Sequence, residues 1–165
     1  MPRETEVDFQ AILRVLAEHG VDFIVVGGVC GVLHGAPILT FDLDIVHSRK
    51  KDNVGRLMRA LEALDARYRT HTEKTIRPAP THLASEGHQL LATRFGPLDV
   101  LGLIGSGRQY EDLLPHSVVM RVGRGLTARL LDLDTLIETK QETAGEKDRA
   151  ALAILRRIRQ EESQR

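Results

Sequence analysis

Asp42, Asp44 and Asp99 are the residues of this 165-residue sequence whose type and spacing suggest chemistry, and Gly27-Gly28 completes the set. The segment 41–47 (FDLDIVH) alternates acid and aliphatic residues, so an extended strand turns Asp42 and Asp44 to one face and Leu43 and Ile45 to the other. Asp99, within GPLDVLG, falls in a second run that reads as a neighbouring strand. Like charges a few ångströms apart are unfavourable unless they are protonated or neutralised by a cation, and hard divalent ions such as Mg²⁺ take carboxylate oxygens as ligands. Carboxylates at i and i+2 of one strand can share metals, and a third from an adjacent strand completes a two-metal phosphoryl-transfer site. Gly27-Gly28, fourteen residues before Asp42, supply the other half. A glycine turn after a buried strand, leading into a short helix, leaves backbone N–H groups free to hold a triphosphate.

The remaining sequence has to position these groups. Residues 7–19 carry an amphipathic pattern ended by Gly20, and 22–26 (DFIVV) is a β-branched run suited to a strand buried on both faces. The pattern continues with a short helix over 29–34, the strand 41–47, and a helix over 52–64 with Asp52 as its N-cap. Residues 66–87 turn polar around Pro78-Ala79-Pro80 and read as a loop or short edge strands. Residues 90–95 and 98–103 flank Gly96-Pro97 as a hairpin carrying Asp99 on its second strand. A helical turn at 108–114, strands at 118–122 and 126–131, and helices at 132–143 and 147–160 close the chain. The sum is a mixed α/β fold, a central mixed β-sheet flanked by helices and ending in helices. Without repeats, low-complexity tracts or a linker, residues 1–165 read as a single domain.

Composition narrows the function. Lys plus Arg number 23 against 23 Asp plus Glu, and the pI near 7.1 lacks the net basic character of indiscriminate nucleic-acid binding. Aromatic residues are 4% of the chain, too few for a platform stacking several bases. One cysteine, Cys30, forms no internal disulfide, and the charged start MPRETEVD lacks a secretory pattern, so a cytoplasmic setting is expected. Residues 23–41 contain no Asp, Glu, Lys or Arg but hold four glycines, His34 and Pro37, which makes them buried structure and not a membrane span.

VVGGVCGVLHGAPILTFDLDIV resembles the glycine turn and hDhDh signature of nucleotidyltransferases of the DNA-polymerase-β-like superfamily, nearest the small bacterial AbiEii/AbiGii-type and related minimal members of toxin–antitoxin and defence systems. GPLDVLG matches the strand with the third acid, and Lys140 through AGEKD resembles the family's C-terminal Lys and Lys-Asp helix motif; the likeness spans residues 7–158. It implies a nucleotidyltransferase fold that uses Mg²⁺ and a nucleoside triphosphate to move a nucleoside monophosphate onto a hydroxyl of RNA, protein or a small molecule. Asp42, Asp44 and Asp99 would be the catalytic metal ligands. Gly27, Gly28, Lys140 and Lys147 would contact the nucleotide. The chain departs from the pattern at Gly28, where many relatives carry Ser, at Ile38 and Leu39, where many carry a basic residue, and at Ala151, where an acid is common.

Several features have plainer explanations. Leu131-Asp132-Leu133-Asp134 repeats the acid–aliphatic pattern, yet Leu133, Leu136, Ile137 and Lys140 follow at helical spacing, so Asp132 reads as an N-cap and Asp134 as a first-turn acid. Cys30 and His34 stand four apart, but two local ligands fall short of the four of a structural zinc site. His71, His82 and His88 lie in a Pro-interrupted segment with no fixed geometry for nuclease chemistry, and Arg156, Arg157 and Arg159 suit a solvated helix face. A Rossmann unit is disfavoured because the glycines fail G-x-G-x-x-G. The departures keep a second reading open, a catalytically weak nucleotidyltransferase-fold module that binds a partner protein.

Overall fold

Two carboxylates can share a sheet face only if the strands between them are buried and in register, and three strands of this chain meet that condition. The computed structural model describes residues 7–70, 73–143 and 145–165, and the side chains of Glu146 and Lys147 lie outside that description. The elements run α1 (Phe9–Glu18), β1 (Phe23–Val26), α2 (Gly27–Leu33), β2 (Leu43–His47), α3 (Lys51–Ala63), β3 (Arg67–Tyr68), α4 (Pro80–Leu83), β4 (His88–Thr93), β5 (Gly96–Leu101), β6 (Leu103–Ile104), β7 (Arg108–Gln109), α5 (Tyr110–Leu113), a 3₁₀ turn (Leu114–His116), β8 (Ser117–Gly123), β9 (Leu126–Leu131), α6 (Leu133–Glu142) and α7 (Glu146–Ser163). Seven strands form one sheet in the order β3-β4-β5-β2-β1-β9-β8, and β6 and β7 pair separately. β2 runs parallel to β5 and antiparallel to β1, and β1 runs parallel to β9, so the sheet is mixed.

The aliphatic runs hold the centre. All four residues of β1 are buried, as a β-branched strand between two neighbours should be. Leu43 and Ile45 of β2 face the core with Leu98 and Leu130, all fully buried, and that alternation turns Asp44 to the opposite face. α3 adds Val54, Leu57, Ala60 and Leu61 at helical spacing. Its buried Asn53 also ties strand ends together: Nδ2 donates to Ser48 O (2.7 Å) and Asp22 O (3.0 Å), and Oδ1 accepts from Asp22 N (2.7 Å).

Three details differ from the sequence pattern. The hairpin turns at Arg94-Phe95, and Gly96 already pairs with Thr93 inside the ladder; Gly96 has φ +126°, a conformation that favours glycine at the exit of the turn. Lys50, not Asp52, holds the N-cap position of α3, without a side-chain capping bond, which leaves Asp52 in the first turn, where its charge favours the helix N-terminus. Within 66–87 the chain forms β3 on the sheet edge and the short α4, whose Leu83 is fully buried.

Asp132 is the N-cap that its context implies, its side chain accepting from Thr135 N at 2.7 Å. Asp132→Ala should destabilise the chain by about 1 kcal/mol, read as a lower urea midpoint at unchanged slope, with most of the loss restored by Asn.

Candidate active site

The parallel pairing of β2 with β5 sets Asp44 directly opposite Asp99, and the antiparallel pairing of β1 with β2 sets Val26, the residue before the glycine turn, opposite Asp44. Register therefore sets the two carboxyl groups side by side on one face of the sheet. Burial pushes the Asp44 carboxyl up to about 7, and the charge of Asp99, the hydrogen bond with it and the charge of Asp42 add to the rise, against the opposing charge of Lys140. Asp44 Oδ1 is buried with no hydrogen-bond partner among the described residues. An orphaned carboxylate oxygen of this kind is unfavourable as it stands and suits an incoming cation.

Asp99 has a cation already. Arg69, just beyond β3, reaches across β4 so that Nη1 donates to Asp99 Oδ1 at 2.7 Å and to Leu91 O at 2.8 Å. Asp42 lies one residue before β2 and is half-buried. Its charge reaches Asp44, but among the described residues no three His, Cys, Asp or Glu side chains are gathered closely enough to hold an ion.

The glycine turn has a steric reason. Gly27 opens α2 at φ +68°, and a Cβ there would collide with Asp44 Oδ2, so the turn approaches the carboxylate as only glycine allows. A Cβ at Gly28 would stand 2.7 Å from Thr40 Oγ1 and 3.0 Å from Thr40 Cβ. The Thr40 hydroxyl therefore fills the space into which a serine at 28 would grow.

Asp44 and Gly27 open onto a cleft of about 280 Å³ lined also by His88, Leu103, Ile104, Leu136, Thr139 and Lys140. Lys140 on α6 pairs with Asp148 on α7 at 3.6 Å, so the two pieces of the C-terminal motif meet. The side chain of Lys147 is outside the described residues. Arg69, Leu103, Ile104 and Thr139 carry no chemical signature in the sequence, and His88 lies there in a segment without fixed geometry. Nothing in their local pattern marks them, because the crossing of β4 and the approach of α6 to residues 103–105 bring them to the site. A larger cleft of about 470 Å³, between α3 and Arg77-Pro78, shares no lining residue with this one.

Among the described residues the other histidines and Cys30 do not converge on a ligand site, and His71 lies outside those residues. Cys30 Sγ and His34 Nε2 both point at the carbonyl of Leu131, at 3.5 and 2.7 Å, which makes them a core contact between α2 and β9. His47 is buried, donates from Nε2 to Leu83 O at 2.7 Å, and has its pKa lowered by burial. His82 accepts from Ala79 N at 2.9 Å. Arg157 and Arg159 are exposed and pair with Glu161 and Asp134. No helix among the described residues is long and apolar enough to cross a membrane.

No protein-family model and no curated protein matches the sequence. Among solved structures, the chain is similar to a Thermotoga maritima protein provisionally described as a nucleotidyltransferase. The similarity covers 94% of this chain and 91% of the other, at a TM-score of 0.55 and 16% identity. That likeness shows the fold: the mixed sheet flanked by helices is a nucleotidyltransferase fold.

Asp44 makes the stability of this fold depend on pH. Its carboxyl moves from 3.8 when unfolded to about 7 when folded, so between those values the folded state holds a proton that the unfolded state has released. The contribution is fully present below the unfolded value and is lost as pH rises through the folded one. Buried His47 has the opposite sign, its lowered pKa favouring folding at higher pH, so the informative quantity is a difference between proteins. Asp44→Asn, which keeps the shape without the titration, should gain on the wild type by a few kcal/mol between pH 4 and pH 8, at roughly 1.4 kcal/mol per pH unit. Chemical denaturation at each pH would measure it, and a constant gap would refute the raised Asp44 carboxyl.

Proposed function

We propose that this chain is a single-domain, Mg²⁺-dependent nucleotidyltransferase of the AbiEii/AbiGii type, acting in a cytoplasmic toxin–antitoxin or defence setting. The observation that carries this is the half-buried Asp44–Asp99 carboxyl pair beside a glycine turn whose Cβ space Asp44 occupies. Two of the donors suit a hard divalent cation as they stand, Asp44 with an unpartnered buried oxygen and Asp99 beside it, and Asp42 at the strand entrance would have to move in to join them. Asp42, Asp44 and Asp99 would hold Mg²⁺, which when bound neutralises the carboxylates and polarises the phosphate oxygens.

The protein's own groups account for the rest. Gly27 and Gly28 present backbone N–H groups to the triphosphate, Lys140 offers it a positive charge, and Lys147 is the second lysine assigned to it. Leu103, Ile104 and Leu136 line the cleft and keep water from the nucleotide. Asp99 takes the proton of the acceptor hydroxyl as that oxygen attacks the α-phosphorus. The new P–O bond forms as the bond to the β-phosphate breaks, pyrophosphate leaves, and the nucleotide stays on an RNA, protein or small-molecule acceptor.

A second reading draws on Leu39 and Phe41, which are 89% and 74% exposed immediately before Asp42. Apolar side chains held in water beside the site, with Ile38 and Leu39 in place of basic residues, suit a weakly active module that binds a partner protein.

Incubation with each α-labelled nucleoside triphosphate and either total tRNA or the protein encoded beside this one separates the two. The enzyme should show Mg²⁺-stimulated triphosphate binding and label transfer. Asp42→Ala combined with Asp44→Ala should reduce transfer by more than the roughly 10- to 100-fold typical of losing a residue that merely supports a metal ligand. No Mg²⁺-stimulated binding, with partner capture unaltered in the double variant, would favour the binding module.

A further inference from the structure

Arg69 is the one cation hydrogen-bonded to the carboxyl pair among the described residues. Its side chain is 26% exposed against 14% for Asp99, so the guanidinium sits on the solvent side of the carboxylate. Both of its side-chain hydrogen bonds run from Nη1, to Asp99 Oδ1 and Leu91 O, and neither Nη2 nor Nε has a partner among the described residues. With Arg69 paired to Asp99 at 2.7 Å, the protein itself already sets a positive charge against the carboxyl pair. A divalent ion on Asp99 would come within a few ångströms of a fixed positive charge, in surroundings that screen it poorly.

We propose that Arg69 is a resident counter-ion that excludes a bare divalent cation from the Asp44–Asp99 pair and admits one that arrives with a triphosphate, whose phosphate oxygens take over the guanidinium. This rests on the metal–nucleotide reading above. It makes Arg69 a residue that enforces joint entry of metal and nucleotide, from a position outside the Asp42, Asp44 and Asp99 set. The free Nη2 and Nε edge is the part of the fork that can grip a phosphate while Nη1 lets go of Asp99.

The test uses the full chain and two probes, Mn²⁺ alone and Mn²⁺ with the non-transferable α,β-methylene analogue of ATP, followed by calorimetry and by the spin-resonance signal of free Mn²⁺. In Arg69→Gln, Mn²⁺ alone should bind about 10-fold tighter or more, and the advantage that the nucleotide confers in the wild type should shrink. Adding Asp44→Asn to that variant should abolish the tight binding. Arg69→Lys, which keeps the charge, should leave Mn²⁺ as weak as in the wild type, and it carries the comparison if Arg69→Gln does not fold. Equal or weaker Mn²⁺ binding in Arg69→Gln would show that Arg69 supports Asp99 and does not compete for it, overturning the proposal while the metal–nucleotide reading stands. Tight binding that survives Asp44→Asn, or tightening in Arg69→Lys, would also overturn it. No Mn²⁺ binding by any of the proteins, with or without nucleotide, would remove both readings together.

Discussion

A carboxyl group drawn partly out of water and placed against a second carboxyl obliges its surroundings to supply a proton or a cation. The site around Asp44 meets that demand from two sides. Arg69 sets a guanidinium on Asp99, and Lys140 lends a more distant positive charge from α6. The first of these depends on register, because Asp44 meets Asp99 only while β2 and β5 pair residue for residue. A slip of one residue would turn Leu43 and Ile45 to solvent and bury the acids, so the aliphatic core holds the carboxyl pair together as firmly as it holds the sheet.

β2 thus serves two faces of the molecule at once. Leu43 and Ile45 are fully buried, and Asp44 between them faces the cleft. The glycine turn completes the same geometry from the neighbouring strand. Gly27 must lack a side chain because Asp44 Oδ2 stands where one would begin, and Thr40 occupies the corresponding space at Gly28. Gly28, where the nucleotidyltransferase signature it resembles often carries Ser, stands here against Thr40, which fills the space a side chain would need.

The formal charge of zero conceals a division, since residues 1–47 hold two basic and seven acidic residues while residues 48–165 hold twenty-one and sixteen. Arg69 and Lys140 show what the basic remainder does locally: both belong to it, Arg69 pairs with Asp99, and Lys140 lines the cleft onto which Asp44 opens. A nearly neutral surface and a cationic rim at one cleft coexist because fields at contact distance depend on placement, which a sum over the chain does not record.

Much of the architecture was legible in the residues alone. The alternation of FDLDIVH, the β-branched run before Gly27-Gly28 and the helical spacing after Asp132 are local patterns, and local sterics and hydrophobic periodicity are enough to place a strand, a turn and an N-cap. The mixed sheet flanked by helices followed from their order. The turn at Arg94-Phe95, the two-residue edge strand β3 and the reach of Arg69 to Asp99 carry no such signature. Arg69 and Asp99 stand thirty positions apart and meet through β4, which pairs with both neighbouring strands. Which residues share a strand face is thus written in neighbouring side chains, whereas which cation answers a buried carboxylate is decided by strand order and register, set by the packing of the whole core.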